Sequence, residues 1–261
     1  MLGLALDDVG NVTLPAHMHC GNTVKDLINA TYPDIGVGNK DDQYFLDRTI
    51  LSCKNDSVHD LNNEILSMFP GPSRLYTSAD SVVLEDGAQD GFQPLPVEFL
   101  NSITTSGLPL AHLKLKEGCP LMLLRNLDPS IGLCNGTRMR LIRMKCHVLE
   151  CCILGCRFKG NKVFIPRISL EPSDQELPGF KLRRHQFPVW LAFAMTINKS
   201  QGQSVEHVGL DLCTPVFSHG QLYVALSHCT SGARIKVLFP SDQRENKTMN
   251  IVYPEVLTGI L

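Results

Sequence analysis

Residues Ala192–Leu212 read AFAMTINKSQGQSVEHVGLDL, and the fold turns on how this stretch is understood. An apolar run, Phe187–Phe193, enters a polar turn, Thr196-Ile197-Asn198-Lys199-Ser200-Gln201-Gly202. A β-rich run, Val205–Leu212, leaves it. The turn is suited to holding phosphate. Thr196 and Ser200 offer hydroxyls, Lys199 a point charge and Gln201 an amide, and Gly202 lets the backbone come close because it has no Cβ. Taken alone, the spacing equally fits an ordinary strand-to-helix turn with one exposed lysine.

Downstream, Gly220–Ser227 reads as a helix and Ile235–Phe239 as a closing buried strand. Beyond Pro240 the pattern is a polar tail with no strong signal. Upstream, Tyr44–Cys53 contains a buried strand at Thr49–Cys53, and Lys54-Asn55-Asp56-Ser57 gives a turn and a helix start. Ser57 with Asp60 resembles a capping box, and Val58, Leu61, Ile65 and Leu66 form one apolar face that Pro70-Gly71-Pro72 ends. Strands alternating with helices predict a mostly parallel sheet with ligands at the carboxyl ends of its strands.

The middle differs. Ser73–Gly107 is polar and broken by Gly and Pro, with a turn at Ser78–Ser81, and is expected to be a connector with little core. Leu108–Leu170 is rich in short strands: Leu113–Leu124, Arg138–Met144, His147–Leu154 and Lys162–Ile168. Asn135-Gly136 signals a tight hairpin, so a small antiparallel barrel or sandwich is expected here. Glu171–Gly179 reads as a linker leading to the basic cluster Lys181, Arg183 and Arg184. Arg138 and Arg140 share one face of an alternating strand, which could track a phosphate backbone or be a solvated face.

The 261 residues are 43% hydrophobic and 19% charged, with net charge −2, so no global basic field draws in nucleic acid. No apolar run is long enough to span a membrane. The start, MLGLALDDVGNV, lacks the pattern of a secretory leader. Ten cysteines are therefore read as free thiols. Cys146, Cys151, Cys152 and Cys156 raise the question of zinc, but they hold no CxxC pair, so no metal site is expected. None of the 20 glycines precedes a lysine and no Asp-Glu dipeptide occurs, so a GxxxxGK phosphate loop and its acidic partner are missing.

Five segments in order resemble the C-terminal part of the PIF (petite integration frequency) family of superfamily 1 DNA helicases, Helitron-type members included. TINKSQGQ at Thr196–Gln203 resembles its motif V, and GQLYVALS at Gly220–Ser227 its motif VI. YFLDRTILSCKNDSVHDLN at Tyr44–Asn62 resembles the motif IV region, though Ser52-Cys53 stand where the family often has Ala-Pro. LKLKEGCPLMLLRNLDPSIGLCNGTRM at Leu113–Met139 resembles the start of its β-barrel insert, and Leu14–Tyr32 the segment before motif IV.

The resemblance implies an α/β fold: a RecA-like parallel sheet domain with an inserted small antiparallel SH3-like β-barrel. Residues 1–107 would be a lead-in and the first part of the second RecA-like domain, 108–170 the barrel, 171–240 the remainder with motifs V and VI, and 241–261 a tail. It implies Gln201 and Gly202 near the nucleotide's γ-phosphate. It implies Lys54, Asn55, Arg138, Arg140, Thr196, Asn198 and Lys199 near DNA. His228 stands at the arginine-finger position, where an imidazole cannot form the bidentate fork and loss of a finger typically costs ~10³ in turnover or more.

The intact family enzyme uses ATP and Mg2+ to unwind DNA 5′-to-3′ in genome and telomere maintenance. With motifs I to III missing, this chain is expected to bind neither ATP nor Mg2+ alone and to need a first RecA-like domain. Its expected partner is single-stranded DNA, with no membrane, and its expected location is nuclear or mitochondrial. The alternative is a non-enzymatic nucleic-acid or protein-binding module derived from a helicase.

Overall fold

A computed structural model describes residues 7, 10–83, 95–105, 107–172, 180–240 and 246–253. The chain divides into two compact units, one from Met1–Phe69 with Phe193–Leu261, the other from Pro70–Ala192. The first opens with β1 (Asn11–Thr13), α1 (Val24–Thr31), α2 (Asp42–Leu46), β2 (Arg48–Ser52) and α3 (Asn55–Met68). The second contributes β3 (Ser73–Thr77), β4 (Ala79–Val83), α4 (Val97–Ser102), β5 (His112–Lys116), β6 (Pro120–Leu123), β7 (Arg138–Met144), β8 (Val148–Ile153), β9 (Lys162–Pro166), β10 (Ile168–Leu170), β11 (Lys181–Gln186) and β12 (Val189–Leu191). The first unit then resumes with β13 (Ala194–Thr196), β14 (His207–Asp211), α5 (Gln221–Ser227), β15 (Ile235–Leu238) and β16 (Lys247–Met249).

The first unit is a parallel sheet in the order β13-β2-β14-β15. Its strands are buried almost end to end, because helices cover a parallel sheet on its faces. Thr23 caps α1 in a reciprocal box with Asp26, which fixes the start of that helix. Gly209 lets α1 lie flat on β14: a Cβ there would come within 2.4 Å of Thr31 Oγ1. Val58, Leu61, Ile65 and Leu66 are the buried face of α3, as their spacing predicts. The helix begins earlier than the Ser57–Asp60 pattern suggests. Its N-cap is Lys54, without a side-chain cap, because β2 ends at Ser52 and buried Cys53 completes the turn. The expected tail holds β16, which pairs antiparallel with β1.

The second unit contains antiparallel sheets in the orders β12-β6-β7-β8-β9, β10-β11-β4 and β3-β5. It is wider than the expected 108–170 insert. Residues 73–83 are strands rather than connector and turn, and Leu100 of α4 joins Leu108, Leu170 and Leu182 in a small core. Asn135-Gly136 do not close a two-residue hairpin. They sit inside a longer β6–β7 connection, in a turn where Thr137 N donates to Cys134 O at 3.0 Å and only Gly136 has positive φ, +85°.

Arg184, one of the basic cluster Lys181, Arg183 and Arg184, is buried. β11 alternates, so Leu182, Arg184 and Gln186 point inward while Arg183 and His185 stay exposed. Arg184 Nη2 meets Asp80 Oδ2 at 2.7 Å, and its remaining donors reach the carbonyls of Leu100, Ile103 and Pro109. The pair is enclosed by protein, with side-chain exposures of 1% and 0%. The Glu171–Gly179 linker falls mostly outside the described residues.

Candidate nucleotide and nucleic-acid site

The parallel register places Thr196, Ser52 and Asp211 side by side, with Leu238 next in the row, at the carboxyl ends of their strands. Two of the sequence-predicted segments therefore start from one rim. Lys54 and Asn55 follow β2 and are exposed. The motif turn follows β13 as a 3-10 turn, Ile197–Ser200, and continues to Gly202.

Within that turn the side chains divide by exposure. Asn198, Gln201 and Gly202 are exposed and Thr196 is half-buried. Ile197 and Ser200 are buried, and the Ser200 hydroxyl donates to Ile197 O at 2.6 Å, so it is used internally. Gly202 has φ +79° and nothing within 4 Å of where a Cβ would stand, an open cradle of the kind a phosphate oxygen can enter. Burial pushes the Lys199 ammonium down to about 8. This lysine is set into the fold, unlike the exposed point charge that the spacing suggested.

Several groups that set the rim carry no motif signature. Ser52 Oγ donates to Asp211 Oδ2 at 2.9 Å, and Cys213 N donates to Asp211 Oδ1 at 3.1 Å. This buried carboxylate ties the end of β2 to the end of β14. Burial, then the Asp211 charge, pushes the Cys53 thiol up to about 11 and the Cys213 thiol up to about 12. Asn62 of α3 acts as a substitute strand for the free side of β13. Its Oδ1 accepts from Phe193 N and Ala194 N, and its Nδ2 donates to Ala194 O and Val58 O, at 2.9 to 3.1 Å. Tyr32 adds a hydroxyl bond to Phe193 O at 2.6 Å. The visible signal for Asn62 was an amide set inside the apolar face of α3, and for Asp211 an acid ending an apolar run.

His228 does not extend toward the rim. It is 5% exposed, Nε2 contacts Ser200 O at 2.5 Å, and Nδ1 contacts Val224 O. The ring lies between two backbone carbonyls, Ser200 O and Val224 O. Arg138, in the second unit, is likewise turned inward, 7% exposed with Nη2 donating to Ala192 O at 3.3 Å. Arg140 stays partly exposed. Among the described residues no group of three or more His, Cys, Asp or Glu side chains is placed to hold a metal ion.

The family model "DNA helicase Pif1, 2B domain" matches residues 98–144. The ATP-dependent DNA helicase PIF1 of Xenopus laevis is 32% identical over 214 residues, 76% of this chain and 29% of that protein. Its Danio rerio counterpart is 30% identical over 219 residues, 78% of this chain and 30% of that protein. This chain belongs to the Pif1 helicase family.

It spans about 30% of the length of these Pif1 relatives. The crystal structure of Pif1 from Candida albicans superposes with a TM-score of 0.59 at 22% identity, covering 90% of this chain and 55% of that one. Bacteroides Pif1, crystallised bound to ssDNA, gives 0.57 at 20% identity, covering 90% and 49%. At those identities the likeness to solved Pif1 structures is one of fold, an α/β architecture with a parallel sheet.

Proposed function

We propose that the chain supplies the second RecA-like domain, with an SH3-like barrel insert, of an ATP-dependent 5′-to-3′ DNA helicase. The observation that carries this is the row Thr196–Ser52–Asp211, which sets the open Gly202 turn at the carboxyl rim of a parallel sheet. Gln201 and Gly202 fit one side of a nucleotide's phosphates, through an exposed amide and an unobstructed backbone. Bound ATP with Mg2+ would supply the phosphoanhydride energy. The residues of this chain would bind and orient, while the main phosphate loop comes from a first RecA-like domain. Lys54, Asn55, Thr196 and Asn198 are the groups proposed to meet single-stranded DNA, with Arg140 on the second unit. The family role in genome and telomere maintenance, in nucleus or mitochondrion, comes with this reading.

A second reading, a non-enzymatic binding module, is favoured by one feature: the arginine-finger position holds a histidine committed to backbone carbonyls. Titration of a fluorescent oligonucleotide tests what the two readings share. Weak binding is expected, falling steeply with salt because phosphate contacts dominate. Absence of binding at low salt would reject both. A coupled ATPase assay separates them: no turnover from the chain alone, and turnover on adding a first RecA-like domain if it is motor-derived and competent. No gain leaves the module.

A further inference from the structure

The outward face of β7, β8 and β9 carries an exposed aromatic ring among cations. Strand pairing sets two rows across it: Arg140, Cys152 and Lys162 in one, Arg143, Glu150 and Phe164 in the next. The intervening row, Leu141, Cys151 and Val163, is buried, so the other two rows point away from the core. Of their six residues only Cys152 is buried. Phe164 is 63% exposed. A lone exposed apolar residue needs no explanation by itself, but this one stands beside three cations and one carboxylate. Arg143 Nε and Lys162 Nζ lie 3.8 and 3.9 Å from the Glu150 carboxylate. A guanidinium carries five N–H donors and an ammonium three, so one loose contact each leaves most of them for a ligand. We propose that this face is a single-strand platform, on which a base of single-stranded DNA stacks on Phe164 while Arg140, Arg143 and Lys162 hold the flanking phosphates.

Charge and shape select this occupant. The face is net positive in a chain whose total charge is −2, so it is a local anion-attracting patch. An aromatic ring set in a basic surface suits single strands, whose bases are free to stack and whose backbone is anionic throughout. Lys162 and Phe164 stand roughly 7 Å apart along β9, and Arg143 stands roughly 10 Å from Phe164 across the sheet, spans that one nucleotide and its neighbour can bridge. Among the described residues β9 is the last strand of its sheet, where a second copy could add a strand. Lys162 and Pro166 oppose that: the lysine brings charge to the edge, and the proline has no N–H to donate. The inference rests on the reading that this chain meets single-stranded DNA. It adds a surface carried wholly by the second unit and lying outside motifs IV, V and VI.

The test is an anisotropy titration of the full chain with a fluorescein-labelled oligothymidylate at low salt. Phe164→Ser is expected to weaken binding about tenfold with an unchanged salt slope, because stacking neutralises no phosphate. Arg143→Gln combined with Lys162→Gln should shrink the slope of log affinity against log salt by about 1.4, as for two lost phosphate contacts. In the native chain, an oligonucleotide carrying 5-bromouracil should photo-cross-link to the peptide that holds Phe164. Unchanged affinity in Phe164→Ser, or a cross-link confined to other peptides, would overturn the platform while leaving the helicase reading standing. No binding by the native chain would reject both. A dimer that Phe164→Ser abolishes, with strand affinity unchanged, would assign the ring to a contact between copies and overturn the platform as well. The cross-link needs no variant, so it decides the matter even if a substituted chain does not fold.

Discussion

At Gly209 and Lys199 single atoms decide the outcome. Gly209 has Thr31 Oγ1, Ile50 Cγ1 and Leu27 Cδ1 within 2.4, 2.9 and 3.2 Å of where a Cβ would sit. Gly209→Ala must push α1 off β14 and is expected to cost about 1–3 kcal/mol, read as a lower denaturant midpoint with unchanged slope. Lys199 presents a linkage. Its folded value is about 8 against the ordinary 10.5, so between these values the unfolded chain holds a proton that the folded chain has shed. Its contribution to stability therefore rises with pH from about 8 to 10.5. Lys199→Met should be more stable than the native chain below that window, with the advantage shrinking across it. Parallel pH–stability curves for the two proteins would refute the burial of this ammonium.

Strand β11 and helix α3 show what an element does with polar residues that a pattern leaves ambiguous. On β11 two adjacent arginines point to opposite faces, and Arg184 goes inward to Asp80. Removing one member of a buried pair strands the other charge. Asp80→Asn is expected to destabilise by about 3–5 kcal/mol, visible as a large drop in melting temperature, while Arg183→Ala, at the surface, should shift it little. Asn62 is the equivalent on α3: all its hydrogen-bonding capacity is spent on Val58 and on the backbone at Phe193–Ala194. The alternation of β11 and the apolar face of α3 were both legible. Which polar side chain would be recruited inward was not, because, Val58 O apart, the backbone groups it serves come from residues tens to more than a hundred positions away.

For the molecule as a whole the buried thiols favour the folded chain less as the solution becomes alkaline. Burial raises Cys20 and Cys53 to about 11 and Cys119 to about 12, from an ordinary 9.0. The folded chain keeps protons there that the unfolded chain gives up. The stability these thiols contribute is complete below about 9 and is lost as pH rises toward 11 and 12. A denaturation series at alkaline pH should show a steep decline that Cys119→Ala partly flattens. A flat profile would mean that these thiols are open to solvent. The two-unit division lies at the same scale. Strands β3 and β4 looked like connector because each is short and half-polar, and they gain their order from distant partners, β5 and β11.

Local chemistry determined much of this fold from its sequence alone: the apolar runs of the parallel strands and the buried face of α3. These are legible because periodicity and residue type act over a few positions. Only the tertiary structure decided which polar groups are spent inside. Arg184 turns inward to Asp80 and to the carbonyls of Leu100, Ile103 and Pro109, His228 lies between Ser200 O and Val224 O, and Arg138 reaches Ala192 O. Apart from Val224 O, four residues before His228, those acceptors lie tens of positions away or more, and long-range packing assigns them.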